Sequence, residues 1–222
     1  MRVARILPKI PLPEAGLVLL LLFLPDLSAC TSLADPQVSR FELEIKSHQE
    51  FAAGHLSAAG TLTESLVARY GPSPFLLNQL AMIRDRQGRD PETLRILTHA
   101  HRLYPQNLSL TMNLATEEVE QGNPISARTT LLPLMNQKVW PAGFRTLMGQ
   151  IDIATGHLPE AHILLHEALT RHPDNPLILA SLGLLHSRMG LPEEAVRDFR
   201  KAFAKAPEGK LKQHLRSLLA SN

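Results

Sequence analysis

Apolar positions near the end of the chain recur with the spacing of two consecutive α-helices. Residues 177–189 carry leucine and isoleucine every three to four positions, and residues 193–205 carry a stripe of alanine and phenylalanine. Such spacing predicts helices with one apolar face. Gly190 lies between them, where a left-handed backbone ends a helix without steric cost, and Pro192 suits the first turn of the next helix. The pattern therefore predicts a helical hairpin, ended by Pro207.

Glycine recurs at 34-residue intervals between residues 54 and 190. The predicted turn glycines are Gly54, Gly88, Gly122, Gly156 and Gly190. A small-residue column recurs at the same interval in the second helix and reads Ala59, Thr93, Ala127, Ala161 and Ala195. Two copies depart from the pattern. The first has Lys46-Ser47 where later copies have a large apolar and a small residue, and Pro133 is expected to shorten the second helix of the third.

The period and the residues of the last copy together resemble the tetratricopeptide repeat (TPR). The resemblance is carried by Leu182-Gly183, Ala195, Phe199, Ala202 and Pro207. It implies an all-α fold, a TPR-type α-solenoid of about five helix-turn-helix repeats plus a C-terminal capping helix. The expected repeats are 40–73, 74–107, 108–141, 142–175 and 176–209, followed by the capping helix in 210–222.

The N-terminal residues 1–29 have the pattern of a bacterial signal peptide rather than of a folded element. A basic start precedes the apolar run 15–24, which is too short to span a bilayer. The segment 27–30 resembles a lipobox that ends at Cys30, the only cysteine of the chain. The resemblance implies lipidation of Cys30, with a polar linker in 30–39. Thr31 after the cysteine implies an outer-membrane anchor facing the periplasm of a Gram-negative bacterium. An incidental thiol in a cleaved secretory signal is the alternative.

Composition and motifs argue against nucleic-acid binding and against catalysis. The chain has 23 basic and 21 acidic residues, interleaved along the sequence, and only 5% of its residues are aromatic. No glycine-rich phosphate loop or nucleophile elbow is present. His162 and His166 lie one helical turn apart, but two ligands do not define a zinc site. The sequence therefore predicts no enzyme activity, no cofactor, no metal and no small-molecule substrate.

The TPR resemblance also implies which residues face a partner. In that family the first helix of each repeat lines the concave side. The matching positions are Phe41, Glu44, Asn78, Met82, Asp85, Arg86, Met112, Thr116, Glu120, Thr146, Gln150, Ile153, Ala180, Leu184 and Arg188. A groove of this mixed polarity suits an amphipathic helix or an extended segment of a protein partner. For Met82, Met112 and Leu184, packing between repeats is an equally good interpretation.

Two functions follow from this interpretation. The first is a lipid-anchored periplasmic scaffold that binds protein partners during assembly of an outer-membrane pilus or secretion complex, as in tight-adherence or type IV pilus systems. The second is an envelope-maintenance adaptor that recruits peptidoglycan enzymes, a protease or barrel-assembly components. The sequence does not decide between them.

Overall fold

The computed structural model describes residues 39–136, 140 and 142–220, and these ranges contain helices and no strand. The all-α prediction is therefore confirmed for them. The α-helices are α1 Arg40–Ala52, α2 Leu56–Tyr70, α3 Pro74–Arg86, α4 Asp90–Leu103, α5 Leu108–Glu120, α6 Pro124–Leu131, α7 Ala142–Thr155, α8 Leu158–Arg171, α9 Pro176–Arg188, α10 Pro192–Lys205 and α11 Lys210–Ala220. The predicted signal peptide and Cys30 lie outside the described residues.

The helices α1 to α10 form consecutive antiparallel pairs that turn through one recurring backbone arrangement. At Gly190, φ is +75°. The Gly190 N–H donates to the Ser187 carbonyl at 3.2 Å, and the Leu191 N–H donates to the His186 carbonyl at 2.9 Å. This pair of bonds is the Schellman motif, which satisfies the last carbonyls of a helix. The same two bonds and a φ of +71° to +85° recur at Gly54, Gly88, Gly122 and Gly156.

Most first helices of the pairs begin with a polar N-cap that recurs with the same period. The Ser39 hydroxyl accepts from the Glu42 N–H at 3.2 Å, while the Glu42 carboxylate accepts from the Ser39 N–H at 2.7 Å. This capping box makes Ser39, the end of the predicted linker, the N-cap of α1. The other side-chain N-caps seen on first helices are Ser73, Asn107 and Asn175.

In the first helix of a pair, a small residue follows a large apolar residue, as in Leu182-Gly183. The two helices of the pair cross where this small residue meets a side chain of the second helix. In the last two pairs this residue is glycine: Gly149 lies against Leu165, and Gly183 lies against Phe199. The first pair solves the crossing differently. Ser47 is fully buried, and its hydroxyl lies 2.7 Å from the Thr63 hydroxyl. In the first repeat, which has the weakest apolar pattern, a buried hydrogen bond between Ser47 and Thr63 therefore lies at the helix crossing.

The third pair is irregular, as Pro133 predicts. α6 has only 8 residues, and a 3-10 helix over Leu132–Asn136 follows it. A proline inside a helix lacks the N–H and clashes with the preceding turn, which explains the early end. Trp140 returns to this segment: its Nε1 donates to the Leu134 carbonyl at 3.0 Å, and its ring lies 5.5 Å from that of Phe144.

The contacts divide the chain into two compact units, and the division falls inside α5, between Leu114 and Ala115. The N-terminal unit buries aliphatic clusters between its helices, including Leu77, Leu80, Leu97 and Leu110. The C-terminal unit buries two further clusters, which include Ile153, Leu165, Leu182, Phe199 and Leu215. No helix in the described ranges has both the length and the apolar character that a membrane crossing requires.

Candidate functional site

Five of the predicted groove residues on α3 and α5 lie in the N-terminal unit, and two of them are buried. Asn78 and Met112 are each 1% exposed. Asn113 Nδ2 donates to Asn78 Oδ1 at 2.6 Å, and Asn78 Nδ2 lies 3.6 Å from Met82 Sδ. Met82 itself packs against the cluster of Phe51. Of the two interpretations of the methionines, these contacts favour packing between helices.

The remaining predicted residues of this unit are more accessible but hold contacts of their own. Arg86 is exposed, yet its guanidinium lies 4.1 Å from the centre of the Phe51 ring. Such stacking fixes the cation by its attraction to the ring face. Asp85 is half-buried. Phe41 on α1 is 52% exposed, so it offers an apolar surface at the start of the array.

In the C-terminal unit the predicted residues gather around a pocket of about 410 Å³. Six of them line it: Glu120, Gln150, Ile153, Ala180, Leu184 and Arg188. They come from α5, α7 and α9, the first helices of three successive pairs. The 34-residue period brings them together because it returns each position to the same face. The volume is in the range of pockets that hold a small ligand or a buried side chain.

Two predicted residues of this unit do not line the pocket. Thr116 and Thr146 are only 2% and 4% exposed. Ile153 is also nearly buried, at 1%, and contributes to the floor, whereas Leu184 is 41% exposed. The accessible part of the predicted surface in this unit therefore lies towards the C-terminal ends of the first helices.

One polar side chain of the pocket is held in a defined orientation. Gln150 Nε2 donates to the Ser181 hydroxyl at 2.7 Å, and that hydroxyl donates to the Leu177 carbonyl at 2.8 Å. Because the Ser181 proton is used on the carbonyl, its oxygen requires a donor, which only the nitrogen of the amide supplies. Gln150 Oε1 is buried and accepts no hydrogen bond from the described residues.

The pocket has a wall that the sequence analysis did not predict. The capping helix α11 turns Leu211, His214, Leu215 and Leu218 towards it. The apolar spacing of 210–220 predicted a helix that covers the end of the array, and Leu215 does pack with Phe199 and Ala202. The same spacing carries no information on whether the edge of that face also borders a pocket. The rim is charged at Glu120 and Arg188.

A buried ion pair lies elsewhere in this unit. Asp152 is 1% exposed, and its carboxylate accepts from Arg128 Nε at 2.8 Å. Burial raises the pKa of the Asp152 carboxyl, and the Arg128 bond opposes that rise without cancelling it. The pair joins α6 to α7, and neither residue lines the pocket, so its role is to stabilise the fold.

The histidine pair of α8 makes a ring contact. His162 and His166 have ring centres 4.2 Å apart. Burial, followed by the charges of His162 and His186, lowers the pKa of His166, and Asp198 opposes this. Within the described ranges, neither His162 nor His166 belongs to a group of three close histidine, cysteine or carboxylate ligands.

Comparison with known proteins agrees with this architecture. The family model for the tetratricopeptide repeat matches residues 177–206, which cover α9 and α10. Among solved structures, the chain is similar to a thermophilic TPR protein of Thermus thermophilus, with 24% identity, a TM-score of 0.62, and coverage of 82% of this chain and 98% of that chain. The search of curated proteins gives no match.

Two further structures support the same fold. YrrB, described as a TPR protein with an unusual peptide-binding site, is 16% identical with a TM-score of 0.62, and the match covers 81% of this chain and 92% of that chain. MamA of Desulfovibrio magneticus RS-1 is 14% identical with a TM-score of 0.65, and the match covers 75% of this chain and 94% of that chain. The chain thus has the TPR fold.

Proposed function

We propose that the protein is a lipid-anchored periplasmic scaffold that binds protein partners through its C-terminal pocket during assembly of an outer-membrane pilus or secretion complex. The observation that carries the binding role is the pocket of about 410 Å³, lined by α5, α7, α9 and α11. It joins an aliphatic interior to a rim with Glu120 and Arg188. Surfaces of this kind suit the apolar face of a partner segment, with polar groups fixing its orientation.

Similarity in fold supports a peptide-like occupant. YrrB, which shares the fold at 16% identity, is described as having an unusual peptide-binding site. In the present chain the exposed side chain of Leu184 and the fixed amide of Gln150 border one pocket. A partner segment that covers Leu184 would remove apolar surface from water, which favours association.

Anchoring rests on the sequence of the N-terminal region. A lipobox-like segment ending at Cys30 precedes a short linker, and α1 begins at Arg40. Several acyl chains on one residue hold a protein stably at a bilayer, since each buried methylene contributes about 0.8 kcal/mol. In this proposal Thr31 directs the lipoprotein to the outer membrane, and the helices face the periplasm.

Metabolic labelling with a palmitate analogue tests the anchor. The wild-type chain should incorporate the label and sediment with membranes, whereas Cys30→Ala should do neither. If Cys30→Ala stays labelled and membrane-bound, the anchor proposal is wrong.

Site-specific crosslinking in the same envelopes tests the binding role. A photoreactive amino acid at Leu184 should crosslink to a protein, and one at Ile163 should not, because Ile163 is an exposed aliphatic residue on α8 outside the pocket. Mass spectrometry of the adduct then decides the system. A pilus or secretion component supports the proposal, and a peptidoglycan enzyme, protease or barrel-assembly component supports envelope maintenance instead. Equal crosslinking from both positions contradicts binding in the pocket.

A further inference from the structure

We propose that the C-terminal pocket selects an acidic segment of a partner protein, which inserts an aliphatic side chain between α9 and α11 and places a carboxylate on Arg188. The inference rests on the proposed function, because it takes the pocket to be a protein-binding site. It adds the chemistry of the partner and assigns α11 a role in recognition as well as in capping.

The walls of the pocket offer apolar side chains on several sides. Leu184 lies on α9 with 41% of its surface exposed, and Leu218 faces the same space from α11. Phe199 closes the back of the pocket and is only 3% exposed. An aliphatic side chain of a partner would therefore contact apolar atoms on several sides, which is the environment of an interface anchor.

The helices α9 to α11 carry an excess of basic residues. Residues 176–220 contain eight basic and four acidic side chains. Four of the basic groups are paired: Arg197, Lys201, Lys205 and Lys212 form ion pairs with Glu194, Asp198, Asp174 and Glu208. Most of the acidic residues of this segment are thus already engaged. The region presents excess positive charge, which attracts acidic partners.

Arg188 is the cation of this region that borders the pocket. It is exposed, it lies in the last turn of α9, and it makes no ion pair with any described residue. Arg200 and Lys210 are also without an ion pair within the described ranges, but neither lines the pocket. The other ionisable groups of the lining are Glu120 and His214. A guanidinium binds a carboxylate with two parallel hydrogen bonds, so Arg188 is suited to fix an acidic residue beside the anchor.

Fluorescence anisotropy with three labelled synthetic peptides tests this selection on the purified full chain. The first peptide carries one leucine flanked by glutamates, the second has lysines in place of the glutamates, and the third has serine in place of the leucine. The first should bind at least about tenfold more tightly than either of the others. Binding of the first should weaken when the salt concentration rises from about 0.05 to about 0.5 M.

Two charge reversals provide the matched comparison. Arg188→Glu and Arg200→Glu change the net charge equally, and both residues are exposed on neighbouring helices. Arg188→Glu should lose the preference for the acidic peptide by about tenfold, whereas Arg200→Glu should retain it within about twofold. Leu184→Ala should weaken binding of the acidic peptide, whereas Ile163→Ala should leave this binding unchanged.

The outcomes separate this inference from the broader proposal. Equal binding of the glutamate and lysine peptides, or equal effects of the two charge reversals, overturns the acidic selection. Crosslinking from Leu184 in envelopes would still support the scaffold role in that case. Failure of all three peptides to bind also overturns the inference. If the circular dichroism spectrum and the melting temperature of each variant match those of the wild type, the changes in affinity arise at the pocket.

Discussion

Gly183 on α9 and Phe199 on α10 lie so close that a methyl group on Gly183 would stand 2.5 Å from a carbon of the Phe199 ring. The equivalent pair one repeat earlier, Gly149 and Leu165, is almost as tight, at 2.8 Å. In the second repeat Ala81 and Leu97 occupy these positions and share one buried cluster. Phe199 is the largest of the three side chains Leu97, Leu165 and Phe199, and the residue that it meets is a glycine.

Gly183→Ala should destabilise the protein because two effects of unequal size oppose each other. Alanine gains about 0.5–1 kcal/mol over glycine within a helix. Forcing a methyl group against a buried ring costs about 1–3 kcal/mol, so the net loss should be about 1–2 kcal/mol. Chemical denaturation measures the change. Phe199→Leu in the same chain should reduce the cost of Gly183→Ala, and an unaltered cost would contradict the contact.

Gly156→Val should destabilise the fourth helix pair through its backbone alone. Gly156 has φ +85°, and a Cβ there would meet no atom within 4 Å. A β-branched residue is strained at positive φ, so the free energy of unfolding should fall by about 1–3 kcal/mol. The control is Ala154→Val, an exposed position two residues earlier within α7. Equal melting temperatures for both variants would contradict the assigned turn.

Arg128→Met should destabilise the protein far more than loss of an exposed ion pair. The substitution leaves the Asp152 carboxylate buried without its cation, and breaking a buried pair costs about 3–5 kcal/mol. A loss of about 2–3 kcal/mol is expected because Arg128 is itself a quarter exposed. Arg197→Met, which breaks the exposed pair with Glu194, should cost less than about 1 kcal/mol.

Acidification should recover part of the stability lost in Arg128→Met. The pKa of Asp152 is already raised by burial, and loss of the cation removes the contact that opposed this rise. A group with a higher pKa in the folded state binds its proton more tightly there, so its contribution to stability increases as pH falls. Asp152→Asn added to Arg128→Met should abolish that recovery. Recovery that persists would assign the effect to another group.

The lowered pKa of His166 predicts the opposite effect, because acid should destabilise the folded protein through this residue. Burial and the neighbouring His162 and His186 lower this pKa, so the folded state binds a proton less tightly than the unfolded chain. The contribution of His166 is therefore complete above the unfolded pKa of about 6.5 and is lost as pH falls below it. His166→Gln should reduce the fall in melting temperature between about pH 7.5 and about pH 5.5. His172→Gln, at an exposed position outside this cluster, should not.

The turns and the helix pairs could be predicted because they follow from local chemistry repeated at a fixed interval. A glycine at the end of each first helix requires no tertiary information. The N-cap residues Ser39, Ser73, Asn107 and Asn175 also recur in one register of the 34-residue period. The predicted linker 30–39 ends at Ser39, although Ser39 and Glu42 have the spacing of a capping box.

The candidate site was less predictable because it depends on packing between repeats. Position in the repeat placed Asn78 and Met112 among the partner-facing residues, whereas both are almost fully buried. The burial of a residue depends on how closely the neighbouring helices pack over it. The repeat period alone does not predict that packing distance. The sequence does not predict the contribution of His214 and Leu218 to the pocket for a related reason. A single terminal helix has no second copy with which its orientation could be compared.

The position of α11 links the stability of this helix to the state of the pocket. Leu215 of this helix is fully buried against the last repeat, while Leu211 and Leu218 border the pocket. Terminal helices open more readily than central ones, and an occupant of the pocket would bind only the closed arrangement. Occupancy would therefore slow the opening of α11, so that an engaged scaffold would resist proteolytic cleavage within this helix longer than an idle one.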